Sequence, residues 1–350
     1  MDISFFIFLS SGLFLGWSLG ANDVPNIFGT AVGTKMVKFR TATLTASLFI
    51  ILGAVYAGSG ASQTLGQLGS INTLPGAFMS ALAAALTIYW MVKMSIPTST
   101  SQAIVGAIIG WNFFASKPTD ISTLSQIVST WIFCPILSGV IAVILYWLSR
   151  KIIRASRLHL LRQDSYTRIG LILAGAFGAY ALGANNIANV MGVFVPSSPL
   201  HGITLPLGVS LNGTQVLFLI GGIAIGVGAI TYSHKIMNTV GNEIMRMSPL
   251  MAWAVVVAQS LVLFLFASQG LKTFLSSNGL PSLPLVPVSS SQAVIGAVMG
   301  IGIAKGGRTL NWRLISHIAA SWVSTPIIAA IVCYISLFFL QNVFNLKVYQ

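Results

Sequence analysis

Pro97-Thr98-Ser99-Thr100-Ser101-Gln102 places a proline, four hydroxyl side chains and a carboxamide at the start of an apolar run. Proline suits a first helical turn, and the residues behind it would add hydroxyls to the orphan N–H groups of that turn. Those donors and the helix macrodipole both favour negative charge. Gln102 adds a further donor on the same turn. A second copy follows Pro287, with Ser289, Ser290, Ser291 and Gln292 in the same arrangement. Two such helix ends converging would suit a tetrahedral oxyanion. A single copy reads equally well as hydroxyls capping a helix or bonding back to their own backbone. Two copies in register favour the anion.

A second chemistry is carried by Leu19-Gly20-Ala21-Asn22-Asp23-Val24-Pro25-Asn26, which returns as Leu182-Gly183-Ala184-Asn185-Asn186-Ile187-Ala188-Asn189. Asp23 is the one acid expected inside a span, because Asp2 and Asp120 fall outside the membrane and Asp164 and Glu243 fall in loops. An unpaired carboxylate at that depth is expensive, and no Lys or Arg is expected beside it. A bound cation is the natural partner. Asn22, Asn26, Asn185, Asn186 and Asn189, with unwound backbone carbonyls, offer the neutral oxygens a hard alkali cation prefers. The alternative is a protonated Asp23 donating a hydrogen bond between helices.

These residues must be held by membrane-spanning elements. Of the 350 residues, 55% are hydrophobic and 7% charged, and the mean hydropathy is +0.87, which defines an integral membrane protein. The net charge of +13 does not call for a nucleic-acid partner, since the basic residues sit in short gaps between apolar runs. Spans are expected near Ile3–Leu19 (with a continuation to Thr34), Ala42–Gly58, Gly76–Val92, Thr98–Ala115 and Gln126–Leu148, with a re-entrant hairpin as the alternative around Lys93–Thr98. Five more are expected near Ile169–Val195, Leu207–Ile230, Leu250–Ala267, Val288–Ala304 and Leu314–Leu340. As one straight helix, Ile3–Thr34 would measure about 48 Å against a hydrocarbon core of about 30 Å, so it must tilt or break. Gly20 and Pro25 place the expected break in the signature itself.

Between the two sets of spans lies Arg150–Arg168, a basic loop with six of the eighteen Lys and Arg residues. Placing it in the cytoplasm puts 15 basic residues inside and 3 outside, with both termini out. The halves also repeat in sequence: five of eight signature positions are identical, as are eight of fourteen from Pro97–Gly110 and Pro287–Gly300. An odd number of crossings per half would insert the copies in opposite orientations. The expected architecture is an all-α integral membrane protein with two inverted five-span repeats and interrupted helices. Residues 1–149 form the first repeat, 150–168 a cytoplasmic linker and 169–350 the second repeat. An enzyme is not expected, since no histidine falls at the depth of the serines to serve as a base.

At these motifs the chain resembles the inorganic phosphate transporter (PiT) family, whose members carry Gly-Ala-Asn-Asp-Val-x-Asn and Pro-x-Ser-(Thr/Ser)-(Thr/Ser)-His in each half. The resemblance spans both halves and implies a cation-coupled phosphate symporter, often dimeric, working by alternating access in a plasma or inner membrane. It assigns the anion to Ser99, Thr100, Ser101, Gln102, Ser289, Ser290, Ser291 and Gln292. The cation falls to Asn22, Asp23, Asn26, Asn185, Asn186 and Asn189. The chain departs from the family at Asn186, where an acid is usual, and at Gln102 and Gln292, where histidine is frequent. Fewer titratable groups favour sodium over protons as the coupling ion, with no other cofactor. Proton coupling and a sulfate permease of the same architecture are the alternatives.

Overall fold

Helix α1 (Ile3–Gly33) runs unbroken through the first signature, with Pro25 inside it. The break expected at Gly20–Pro25 does not occur. Pro25 removes one i→i−4 hydrogen bond, but every residue from Ser18 to Ala31 is buried in surrounding protein. The carboxamides of Asn22 and Asn26 bond to other segments, so they do not compete for the backbone of α1.

The structure, a computed structural model, describes residues 3–156, 159–204, 208 and 210–349. Leu207, the expected start of the seventh span, and Arg157 of the basic segment lie outside the described residues. After α1 come α2 (Phe39–Ala57), α3 (Ser59–Leu68), α4 (Leu74–Lys93), α5 (Thr100–Phe114) and α6 (Ile121–Ser156). The second signature lies within α7 (Leu160–Met191), again unbroken. A small hairpin of β1 (Ile203–Thr204) and β2 (Ser210–Leu211) leads to α8 (Gly213–Tyr232). Next are α9 (His234–Asn238), a π-helical turn at Thr239–Glu243, and α10 (Pro249–Ala267). The chain continues with α11 (Gln269–Ser277), α12 (Ser290–Ala304) and α13 (Trp312–Asn342).

Eight of these helices are long and apolar enough to cross a bilayer: α1, α2, α4, α6, α7, α8, α10 and α13. The expectation of ten helical crossings is corrected at Thr98–Ala115 and Val288–Ala304. There α5 and α12 have 15 residues each, about 22 Å of helix against about 30 Å of hydrocarbon. Non-helical segments, residues 94–99 and 278–289, precede them. Each such pair still returns across the fold. At the far end of α5, Asn112 Nδ2 donates to the Leu68 carbonyl at 3.1 Å, level with the approach to α4. Beyond α12, Lys305 Nζ lies 3.6 Å from Met251 Sδ in the first turn of α10. The starts of α5 and α12 therefore lie deep in the protein.

The expected basic loop is mostly helix, because α6 continues to Ser156 and α7 begins at Leu160. Arg, Lys, Leu and Gln are good helix formers, and an exposed Arg168–Asp164 pair at 3.3 Å spans one turn of α7. At the other end of α6, Asp120 accepts from the Thr123 hydroxyl at 2.6 Å and the Ser122 N–H at 2.9 Å. The Thr123 hydroxyl foremost holds the Asp120 carboxyl below the usual carboxylate range.

Helices from the two parts of the chain interlock: α1 packs on α8, α2 on α7, α5 on α13 and α12 on α6. Small residues allow the approach. A Cβ on Gly106 of α5 would strike the Pro326 carbonyl, and one on Gly296 of α12 would strike the Pro135 carbonyl. Both glycines and both prolines are sequence-matched pairs. Gly106→Val and Gly296→Val should each destabilise the fold by about 1–3 kcal/mol or more, because backbone cannot rotate away. Fluorescence-detected size-exclusion after heating should show the loss. Gly66→Ala, within α3 and where a Cβ meets nothing within 4 Å, should not destabilise and should gain up to about 1 kcal/mol.

Candidate functional site

The site begins with two helix caps. Ser99 and Ser289 have extended backbone, and their hydroxyls accept from the N–H of Gln102 at 3.3 Å and Gln292 at 3.2 Å. This capping uses one orphan donor per helix and leaves the earlier N–H groups, those of Thr100, Ser101, Ser290 and Ser291, without an intrahelical acceptor. Ser99 and Ser289, expected to face an anion, thus act first as caps, although a hydroxyl that accepts can still donate.

Two signature asparagines hold the chain entering these helices. Asn22 Nδ2 donates to the Thr98 carbonyl at 2.8 Å, and Asn22 Oδ1 accepts from the Thr98 N–H at 3.1 Å. Asn185 Oδ1 accepts from the Val288 N–H at 2.9 Å, and its Nδ2 donates to the Val286 carbonyl at 3.2 Å. Each carboxamide replaces a neighbouring strand for backbone that has none.

The two signatures meet at Asp23. Its Oδ1 accepts from Asn22 Nδ2 at 2.5 Å and its Oδ2 from Asn186 Nδ2 at 3.0 Å. The Thr100 and Ser290 hydroxyls, at the starts of α5 and α12, approach the same carboxylate. Asn26 Nδ2 donates to Ser290 Oγ at 2.9 Å and Asn189 Nδ2 to Asn186 Oδ1 at 3.3 Å. Ser101 Oγ reaches across to the Val288 carbonyl at 3.1 Å, while Ser289 and Ser291 share a contact of 3.0 Å. All the residues singled out from sequence are therefore gathered in one place. None is more than 2% exposed, so the site is buried.

Several of its oxygens have no protein partner. Asn26 Oδ1, Asn189 Oδ1, Gln102 Oε1 and Gln292 Oε1 are buried and unbonded. A stranded buried acceptor costs about 1–3 kcal/mol, and these four belong to the two signatures and the two helix starts. The set combines one carboxylate, neutral carbonyl-type oxygens and unused N–H donors. It can hold a hard cation and an oxyanion side by side.

Sequence reasoning missed Gln259. It is fully buried on α10, and its Nε2 donates to the carbonyls of Asn26 at 2.5 Å and Ile27 at 3.4 Å, supporting the helix just past Pro25. The available signal was a lone carboxamide in the apolar run Leu250–Ala267. It also missed Thr325, whose hydroxyl lies 2.7 Å from that of Thr98.

Eight spanning helices around a closed polar centre define a multi-pass membrane protein. The chain belongs to the Phosphate transporter family, whose sequence pattern matches residues 19–333 and 278–348. A Methanocaldococcus jannaschii protein provisionally named a phosphate permease is 29% identical over 335 residues, covering 96% of this chain and 97% of its own. A Haemophilus influenzae protein with the same provisional name is 26% identical, covering 95% of this chain and 96% of its own. Among solved structures, "The sodium-dependent phosphate transporter" aligns with a TM-score of 0.76 at 22% identity. It covers 97% of this chain and 99% of that one, which establishes the fold.

Asn22→Leu should strand the Thr98 N–H and carbonyl, at about 1–3 kcal/mol for each buried group. Asn185→Leu should cost a similar amount through Val286 and Val288. Thermal unfolding of the purified variants checks both, and wild-type stability in either would remove the clamp from the account.

Proposed function

We propose that this chain is a secondary transporter that imports inorganic phosphate together with sodium. The reading is carried by the meeting of two helix N-termini at a single buried carboxylate. Family membership supports phosphate as the cargo, and the structural neighbour, named as sodium-dependent, is consistent with sodium as the partner ion. The unbonded oxygens of Asn26 and Asn189 fit a cation beside Asp23, with Asn22, Asn185 and Asn186 completing the surround. Thr100, Ser101, Gln102, Ser290, Ser291 and Gln292 would hold the anion, with Ser99 and Ser289 shaping the two helix starts.

Electrostatics supplies the coupling. An anion about 5 Å from an ionised Asp23 is repelled by about 3 kcal/mol at an effective dielectric of 20, more than a hundredfold in affinity. A monovalent cation between them removes that penalty. The coupling is reciprocal, so phosphate tightens the cation by the same factor. Neither ion then crosses efficiently alone. Residues 1–149 and 169–350 are the two inverted halves in this reading, and rocking one against the other would expose the site to each face in turn. The Arg150–Arg168 segment would face the cytoplasm of the cell.

Radiolabelled phosphate uptake into proteoliposomes, under a sodium gradient, a proton gradient or neither, tests the proposal. Concentrative uptake driven by sodium is expected. Uptake driven only by protons would move the coupling to Asp23 protonation, and uptake indifferent to both gradients would indicate a passive pore. Asp23→Asn keeps the shape and one acceptor but removes the charge. It should lower sodium-driven uptake at least a hundredfold while sparing thermal stability, and full sodium dependence in that variant would sink the coupling scheme.

A further inference from the structure

Gln102 and Gln292 occupy matching positions in the first turns of α5 and α12, and each is 2% exposed. Their backbone N–H groups are used by the Ser99 and Ser289 caps, yet each side-chain Oε1 is buried with no hydrogen-bond partner. The first turns of α5 and α12 therefore carry two kinds of buried group. Unused N–H donors at the helix starts want lone pairs, and unused carboxamide oxygens want protons.

An oxyanion without hydroxyl groups answers only the first. With the carboxamides oriented as they are here, sulfate would satisfy the N–H donors but would turn its own lone pairs toward Gln102 Oε1 and Gln292 Oε1, leaving them stranded and repelled. Phosphate at neutral pH keeps at least one P–OH, and that proton can bond to a carboxamide oxygen. A buried site built for a hydrogen bond rejects an analogue lacking the matching group by large factors, because its own polar atoms stay unpaired.

We infer that Gln102 and Gln292 are the specificity determinants of this site: their side-chain oxygens accept from hydroxyl groups of the anion, admitting protonated tetrahedral oxyanions and excluding sulfate. Arsenate, which also carries hydroxyls at neutral pH, falls in the admitted class. The inference rests on the phosphate reading above. Both glutamines are uncharged, so the acceptors themselves do not titrate. Neither side-chain oxygen serves the fold, so replacing the carboxamide by a thioether of similar volume leaves packing intact.

The test is direct binding to the full-length protein in nanodiscs at pH 7 with sodium present, using radiolabelled phosphate competed by unlabelled phosphate, arsenate or sulfate. In the wild type, arsenate should compete within about tenfold of phosphate, and sulfate at least about a hundredfold more weakly. Gln102→Met and Gln292→Met should each weaken phosphate about tenfold while leaving sulfate nearly unchanged, so that the double variant brings the two anions within about tenfold. Thermal midpoints at or above wild type would show that the effect is not misfolding. Equal weakening of phosphate and sulfate, full selectivity in the double variant, or a shift confined to sodium half-saturation would each overturn the assignment. A wild type that binds neither anion would defeat the phosphate reading itself, a result distinct from bound phosphate with unaltered selectivity.

Discussion

Non-helical backbone inside a bilayer survives only if its N–H and carbonyl groups find partners in the protein. The buried ends of the two non-helical segments, residues 97–99 and 286–289, have no strand beside them among the described residues, and Asn22 and Asn185 provide that partner with paired bonds at 2.8–3.2 Å. The rest follows from this constraint. With those two stretches held extended, α5 and α12 can begin deep in the protein, and their N-termini can point at one another. With the signature carboxamides turned outward to those stretches, α1 and α7 can remain continuous through residues that look like helix breakers.

The same arrangement concentrates polarity at one point. Asp23 sits where the two signatures touch, bonded by Asn22 and Asn186, and close to the first hydroxyls of both short helices. One carboxylate against two helix N-termini sets a negative charge beside the donors of two helix starts, and in the proposed scheme these serve the cation and the anion. The interlocked glycine contacts, Gly106 on Pro326 and Gly296 on Pro135, join the two short helices to α13 and α6. Motion of α5 or α12 is thereby tied to the long helices rather than free.

Much of this was legible in the residues. The spans expected at Ala42–Gly58 and Leu250–Ala267 match α2 and α10 within a few residues, because uninterrupted apolar runs of that length leave little choice. The two polar motifs were readable as belonging together because hydroxyls and carboxamides recurred in register inside lipid-length segments. The location of the breaks was not. Gly20 and Pro25 carry the local signal of a broken helix, but tertiary burial from Ser18 to Ala31 overrides it. Pro97 and Pro287, read as helix starts, instead lie in the non-helical stretches just before α5 and α12. The capping by Ser99 and Ser289 and the role of Gln259 depend on distances that no one-dimensional pattern carries.

In the proposed scheme an anion is held between the starts of α5 and α12 beside the Asp23 carboxylate. Cryo-electron microscopy of the protein in nanodiscs, with saturating sodium and phosphate, tests it most directly. The account predicts tetrahedral density within about 3 Å of donors in both Thr100–Gln102 and Ser290–Gln292, with a second feature against Asp23. Phosphate density elsewhere, with both helix starts unliganded, would contradict it.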